Sequence, residues 1–138
     1  METQTSLRVV LDPNLRASRF GSLAEAAAYL GALIDGEGCV FLGRSGRQIS
    51  ITNTDYDIIG AALDACQAIG VAPRVYLREK NWKGRLPLWK VQLMHHADFI
   101  RVSEVVPIFA SRKVAALRAI LASYKYGPQK RRGPRRAV

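Results

Sequence analysis

The fold is decided by residues 30–38, which read LGALIDGEG. This stretch closes a predicted helix and sets two acidic side chains among glycines. Unpaired carbonyl groups give the C-terminus of a helix partial negative charge, so a cation would be the stabilising choice there. Asp35 and Glu37 are the opposite of that choice. Residues that break a local rule are expected at functional sites, so these two acids are the first candidates.

The helix that ends in this stretch is predicted to begin at Ser22, because Ser22 and Glu25 form a capping box. It should run to about Asp35. Beside its large apolar stripe lies a face of small residues, which are Ala24, Ala28, Gly31 and Ala32. Small side chains let a second backbone approach closely, so this face is predicted to meet another helix. The alternative is an alanine-rich helix that packs only on its own sheet.

The rest of the pattern predicts two β-hairpins separated by a helix and followed by two more helices. The strands are expected at 39–42, 47–52, 74–79 and 88–94, and the helices at 55–69, 96–105 and 111–124. The order α-β-β-α-β-β-α-α indicates an α+β fold. Its two hairpins would form one antiparallel four-stranded saddle-shaped sheet with helices on one face and the other face open.

Domain boundaries follow from composition. Residues 22–126 are predicted to form a single domain, which a chain of 138 residues can supply. Residues 1–21 are interpreted as an N-terminal extension, with a short strand or extended arm at 7–11. Residues 127–138 form a basic tail that is predicted to be disordered, since residues 125–138 carry six cations and no acid.

The charge of the chain indicates a polyanionic partner. Lys and Arg number 21 against 11 Asp and Glu, which gives a net charge of +10 and a pI near 10.2. Strand alternation gathers cations, amides and aromatic residues on one sheet face, which suits contacts to groove edges and phosphates. A merely solvated face is the alternative. The predicted DNA contacts are Phe41, Arg47, Gln48, Ser50, Arg74, Tyr76, Arg78, Lys80, Lys83, Arg85, Lys90 and Gln92.

Other classes of protein are disfavoured. Cys39 and Cys66 lack metal-binding spacing and lie in segments predicted to be buried, which favours a reduced compartment. There is no apolar run of the roughly 18 residues that a membrane span needs, and no signal-peptide pattern. We therefore expect a soluble intracellular protein of the cytoplasm, nucleoid or an organelle matrix, without a membrane partner or a small-molecule cofactor.

Residues 30–38 resemble the signature of the LAGLIDADG homing endonucleases. Gly36 and Glu37 match variants that the family commonly uses, whereas Gly31 and Ala32 stand in the reverse of the family order. The positions kept outright are Leu30, Leu33, Ile34, Asp35 and Gly38. The resemblance extends over about residues 23–124, because the family shares the β-β-α-β-β-α order that follows the motif.

The resemblance implies that two motif helices pack side by side and that the last acid of each motif, here Glu37, binds a catalytic divalent metal with Gly36 beside it. Two such carboxylates would repel each other unless cations lay between them, and Mg²⁺ suits carboxylate and phosphate oxygens. One motif supplies half a site, so a homodimer on a long near-palindromic double-stranded DNA target is expected. The expected interface residues are Ala24, Ala28, Gly31, Ala32 and Asp35.

Two further catalytic positions follow from the resemblance. A polar residue that orders water near the metals is expected at Asn53, or at Thr52 if the strand register differs. The cation that assists the cleaved phosphate is Arg112 or Lys113, and the sequence leaves that choice open. Mn²⁺ is expected to substitute for Mg²⁺, and Ca²⁺ to bind without supporting cleavage.

The predicted function is therefore that of an intron-encoded homing endonuclease, a Mg²⁺-dependent phosphodiester hydrolase that cuts both DNA strands and leaves short 3′ overhangs. Two alternatives stay open. One is a maturase that keeps the fold and binds intron RNA. The other is a catalytically silent DNA-binding regulator.

Overall fold

The structure is a computed structural model that describes residues 4–7, 19–78 and 86–124. Within these ranges the chain forms four helices and five strands in the order β-α-β-β-α-β-β-α-α, and the strands make a single antiparallel sheet in the order β1-β4-β5-β3-β2. The helices are α1 (Leu23–Glu37), α2 (Tyr56–Ile69), α3 (His96–Val105) and α4 (Ser111–Ala122). The strands are β1 (Gln4–Leu7), β2 (Gly38–Gly43), β3 (Gly46–Asn53), β4 (Arg74–Arg78) and β5 (Leu88–Leu93). The predicted α+β fold is confirmed.

The sheet has one strand more than predicted. Strand β1 pairs antiparallel with β4, with Gln4 opposite Arg78 and Leu7 opposite Val75. The sequence placed a strand or arm at 7–11, most of which lies outside the described residues, as does the tail at 127–138. The addition has a physical reason, since β4 would otherwise leave a row of unpaired backbone groups at the sheet edge.

The core lies between the sheet and the helices. Ile49, Ile51 and Val91 are buried on one side of the sheet, as strand alternation requires. Leu30 and Ile34 of α1 and Phe99 of α3 pack into the same interior. Among the described helices none is long and apolar enough to cross a membrane.

Helix α1 begins and ends at defined contacts. The Ser22 hydroxyl accepts a hydrogen bond from the Glu25 N–H over 3.1 Å, as the predicted capping box requires. The Glu25 carboxylate accepts from the N–H of Gly21, the residue before the N-cap, over 2.6 Å. The helix runs to Glu37, two residues beyond the predicted end. Gly38 then starts β2 at once, and a Cβ on Gly38 would lie 2.7 Å from the Cα of Ile34. This glycine-dependent step places Glu37 at the junction of helix and sheet.

Candidate metal and nucleic-acid site

Glu37 and Asn53 meet where α1 passes into the sheet. The Asn53 side-chain N–H donates to Oε1 of Glu37 over 2.7 Å. The two residues are 16 positions apart in sequence, and the β2–β3 hairpin brings them together. Thr52 points to the opposite, open face of the sheet and is exposed there. The position beside the acid is therefore that of Asn53 and not of Thr52.

The Asn53 amide is held at both ends. Its carbonyl Oδ1 accepts a hydrogen bond of 2.7 Å from the backbone N–H of Asp55, and Asp55 is the N-cap of α2. Because Oδ1 is engaged in this way, the amide N–H is directed at Glu37. Asn53 thus links the end of α1, the end of β3 and the start of α2, and it fixes one carboxylate oxygen of an otherwise exposed acid.

Lys113 neutralises the end of α1. Its Nζ donates to the backbone carbonyls of Ile34 and Asp35, each over 2.7 Å. Carbonyl groups in the last turn of a helix lie at its partially negative end, so a cation stabilises them. Arg112 is exposed and makes no hydrogen bond or ion pair with the residues that the structure describes. Of the two cations proposed from sequence, Lys113 is the one beside the motif.

Asp35 serves the start of another helix. Its carboxylate accepts hydrogen bonds from the backbone N–H groups of Phe109 (3.0 and 3.1 Å to the two oxygens) and Ala110 (2.9 Å). Ala110 is the N-cap of α4 and its own side chain cannot cap. The Ala110 and Phe109 hydrogen bonds hold the pKa of Asp35 below the ordinary value for an aspartate, and Lys113 nearby acts in the same direction. Asp35 is therefore committed to a contact within the chain.

One chain offers an incomplete set of metal ligands. Within the described ranges no three His, Cys, Asp or Glu side chains converge on a point. The Glu37 carboxylate and the Gly36 backbone carbonyl are hard oxygen donors, which fits Mg²⁺ or Ca²⁺ rather than a softer metal. A metal ion held by these two oxygens would need further ligands from outside the described residues.

The small-residue face of α1 is divided between two surroundings. Ala24, Ala28 and Ala32 are exposed at intervals of four residues, and Gly36 continues the series with open space where a Cβ would stand. Gly31 is instead buried within the chain. A Cβ there would collide with the Pro107 carbonyl group and lie 3.3 Å from Cγ1 of Val106, so its smallness serves an internal contact.

The opposite face of the sheet is open and basic. Strand register aligns Arg74, Gln92, Ser50 and Cys39 in one row and Tyr76, Lys90 and Thr52 in the next. Phe41 and Gln48 form a further pair, and alternation places Arg78 on the same face. None of the described residues on this face is acidic. Ser50 is only 7% exposed and lies at the bottom of the surface. Lys80, Lys83 and Arg85 lie outside the described residues.

Arg47 does not lie on that face, contrary to the sequence prediction. It alternates with Ile49 and Ile51 and so points to the helix-covered side. There its Nε donates to the Ser123 hydroxyl over 2.6 Å, and its guanidinium lies 4.0 Å from the centre of the Tyr124 ring. The same alternation that assigned Ile49 to the core could have identified this role.

Two features of the site were missed from the sequence. The first is the capping of α4 by Asp35, which joins residues 74 and 75 positions apart and leaves no local signal. The second is Phe109, which is 83% exposed although its backbone is fixed by Asp35. Phe109 therefore presents an apolar ring to solvent close to the end of α1.

Comparison with known proteins identifies the family of this domain. The family model of the LAGLIDADG-like domain matches residues 24–106, more than half of the chain. No curated protein and no solved structure shows significant similarity. Proteins with this domain are generally nucleases that use divalent metals, bind DNA and are typically dimeric. The motif at the end of α1, the fold that follows it and the matching family model together show that the chain belongs to the LAGLIDADG family of homing endonucleases and maturases.

Proposed function

We propose that this chain is a site-specific DNA endonuclease that acts as a homodimer, depends on Mg²⁺ and cuts both strands of a long near-palindromic target. One observation carries the proposal. Glu37, the motif acid that does not cap a helix, is oriented by Asn53 where α1 passes into the sheet, and the opposite face of that sheet is open and basic. The other motif acid, Asp35, is occupied by the start of α4.

Glu37 and the carbonyl of Gly36 would hold the metal ion. When bound, Mg²⁺ activates water for attack on the phosphodiester and stabilises the leaving 3′ oxygen. The protein contributes orientation, because the Asn53 amide restrains one oxygen of the exposed Glu37 carboxylate. Lys113 offsets the negative field of the helix end, so a second carboxylate and a phosphate can approach at a lower electrostatic cost.

The second carboxylate would come from a second copy of the chain. The exposed residues Ala24, Ala28 and Ala32 form a narrow apolar stripe that leads directly to Gly36 and Glu37. Packing two such stripes about a twofold axis would bring the two Glu37 side chains to one seam. Phe109 stands at the same end of α1 and would be covered by the partner.

The open sheet faces of the two copies would form the DNA-binding surface. Arg74, Arg78 and Lys90 can contact phosphates, which supplies affinity and orientation but no sequence information. Base edges would be reached by the shorter polar side chains of the same face. A site on each copy implies that the target repeats about the dyad.

The test is cleavage of a randomised duplex library by the full chain with Mg²⁺, followed by sequencing of the ends. The proposal expects a discrete family of sites that are near-palindromic, are cut on both strands and leave short 3′ overhangs. Mn²⁺ should replace Mg²⁺, and Ca²⁺ should support binding without cutting. Selection of specific duplexes that are never cut would indicate a silent regulator. Tight binding to a structured RNA in the absence of any duplex selection would indicate a maturase.

A further inference from the structure

Two glutamines on the open face form a linked pair. The side-chain N–H of Gln92 on β5 donates to Oε1 of Gln48 on β3. Gln92 is opposite Ser50, two residues along from Gln48, so the two amides meet diagonally across the strands. Ser50 is small and sunken beneath them. We call Gln48 and Gln92 the amide pair.

The amide pair presents a fixed pattern of hydrogen-bonding groups. Each amide has one carbonyl oxygen and one NH₂ group. Their mutual bond leaves the carbonyl of Gln92 and the NH₂ of Gln48 without a partner among the described residues. The pair therefore offers a wholly free carbonyl at Gln92 and a wholly free NH₂ at Gln48, beside the second N–H of Gln92 and the second lone pair of Gln48 Oε1. Rotating both amides exchanges the contributing residues but still leaves one wholly free group of each kind.

A site that uses the free carbonyl together with the free NH₂ favours adenine, because guanine would leave the carbonyl without a donor. In the major groove adenine shows a donor at N6 and an acceptor at N7, whereas guanine shows two acceptors and cytosine a single donor. Because the two side chains are already joined, little further side-chain entropy is lost when they bind a base.

Phe41 lies beside the amide pair on the open face. It is the direct cross-strand partner of Gln48, lies on the same face and is 39% exposed. Phe41, Gln48 and Gln92 also line one hollow of about 420 Å³ at this end of the sheet. Three neighbouring strands span about 10 Å, which fits the roughly 12 Å width of a major groove. A phenyl ring is a suitable contact for the thymine methyl group.

We propose that the amide pair and Phe41 together read one A·T base pair in each half of the target, with adenine on the two amides and the thymine methyl on the ring. The inference rests on the proposed DNA-binding function and adds a base identity to it. The two glutamines act as one unit in this assignment, so they share a single position of the site.

The test compares target preferences of the wild-type chain with those of Gln48→Ala, Gln92→Ala and Phe41→Ala, each selected on the same randomised duplex library. Wild type is expected to require A·T at one position per half-site. Both glutamine variants should lose preference at that same position, by roughly 5- to 150-fold. Thr52→Ala, an exposed change elsewhere on the face, should leave this position intact.

A second measurement isolates the methyl contact. Deoxyuridine in place of that thymine removes only the methyl group, so it should weaken binding by wild type but not by Phe41→Ala. The inference is overturned if the glutamine variants relax different positions, if neither relaxes any, or if the shared position is G·C. A wild-type chain that selects no duplex overturns the proposed function itself, whereas selection unaffected by these variants overturns only the base assignment.

Discussion

Two helix ends of opposite polarity exchange hydrogen bonds through the side chains of Asp35 and Lys113. Lys113, in the first turn of α4, donates to carbonyls in the last turn of α1, and Asp35, in that last turn of α1, accepts from backbone N–H groups at the start of α4. This relationship explains how an acid is tolerated at a negative helix end. Glu37 is therefore the acid of the motif that does not cap a helix.

The first prediction concerns this exchange. Asp35→Ala should lower the melting temperature by an amount on the order of a few degrees, because the N–H groups at the start of α4 lose their acceptor. Thermal unfolding followed by circular dichroism measures the effect. Glu104→Ala removes an exposed carboxylate from α3 and should leave the melting temperature close to that of wild type.

The difference in melting temperature between wild type and Asp35→Ala should depend on pH. The pKa of Asp35 is lower in the folded chain than in an ordinary aspartate, because the charged form accepts the Ala110 and Phe109 hydrogen bonds. A lowered folded-state pKa gives stability that is present above the unfolded-state value and is lost as pH falls through the folded-state value. The gap in melting temperature between wild type and Asp35→Ala should therefore narrow toward acid pH. A gap that widened there would contradict the capping role.

The second prediction concerns the internal contact of α1. Gly31→Ala should destabilise the fold by about 1–3 kcal/mol, since the added methyl group meets backbone atoms of Pro107 that cannot move aside easily. Gly60→Ala is the matched control within α2. Its Cβ would make an ordinary 3.5 Å contact with Arg19, so it should gain about 0.5–1 kcal/mol from helix propensity. Denaturant titration measures the free energy of unfolding, which should fall for Gly31→Ala and rise for Gly60→Ala.

The third prediction uses the two cysteines. Cys39 is exposed and lies on the open face, although the sequence suggested burial. Burial raises the pKa of the Cys66 thiol to about 12, so that thiol stays protonated and inaccessible near neutral pH. A maleimide should modify Cys39 alone in the folded chain, and selected target DNA should slow that reaction. Equal rates with and without bound DNA would place the DNA elsewhere.

The fourth prediction concerns the dimer. Ala28→Arg places a long cation in the exposed stripe of α1, and it should convert the chain to a monomer and abolish double-strand cleavage. Gln67→Arg adds the same charge at an exposed position on α2 and should do neither. Sedimentation velocity separates the two states. A wild-type chain that remains monomeric on its DNA would rule out a dimer interface along this stripe.

Hydrophobic periodicity and local capping signals predict most of the helices and strands. The alternation of Ile49 and Ile51 and the capping box at Ser22 are local signals, and the structure follows them. Strand β1 escaped prediction at its true position because the edge that it completes belongs to β4, some 70 residues away. Strand pairing over such a separation has no local pattern.

The candidate site was predictable only where its residues carry local signals. Glu37 stood out as an acid at a helix end. The Glu37–Asn53 contact required the family resemblance, because hairpin register decides which strand residue reaches the helix. The sequence could not separate Arg112 from Lys113, since adjacent residues on a helix diverge by about 100° and only packing decides which one faces α1.

Metal-dependent cleavage by Glu37→Gln tests whether Glu37 holds the metal ion. This change keeps the size of the side chain and an oxygen that can still accept the Asn53 hydrogen bond, but it removes the charge that would hold Mg²⁺. Cleavage of a selected duplex should be abolished while the affinity for that duplex, measured in Ca²⁺, stays nearly unchanged. Mg²⁺-dependent cutting that survived the substitution would contradict the assignment of Glu37 as the metal ligand.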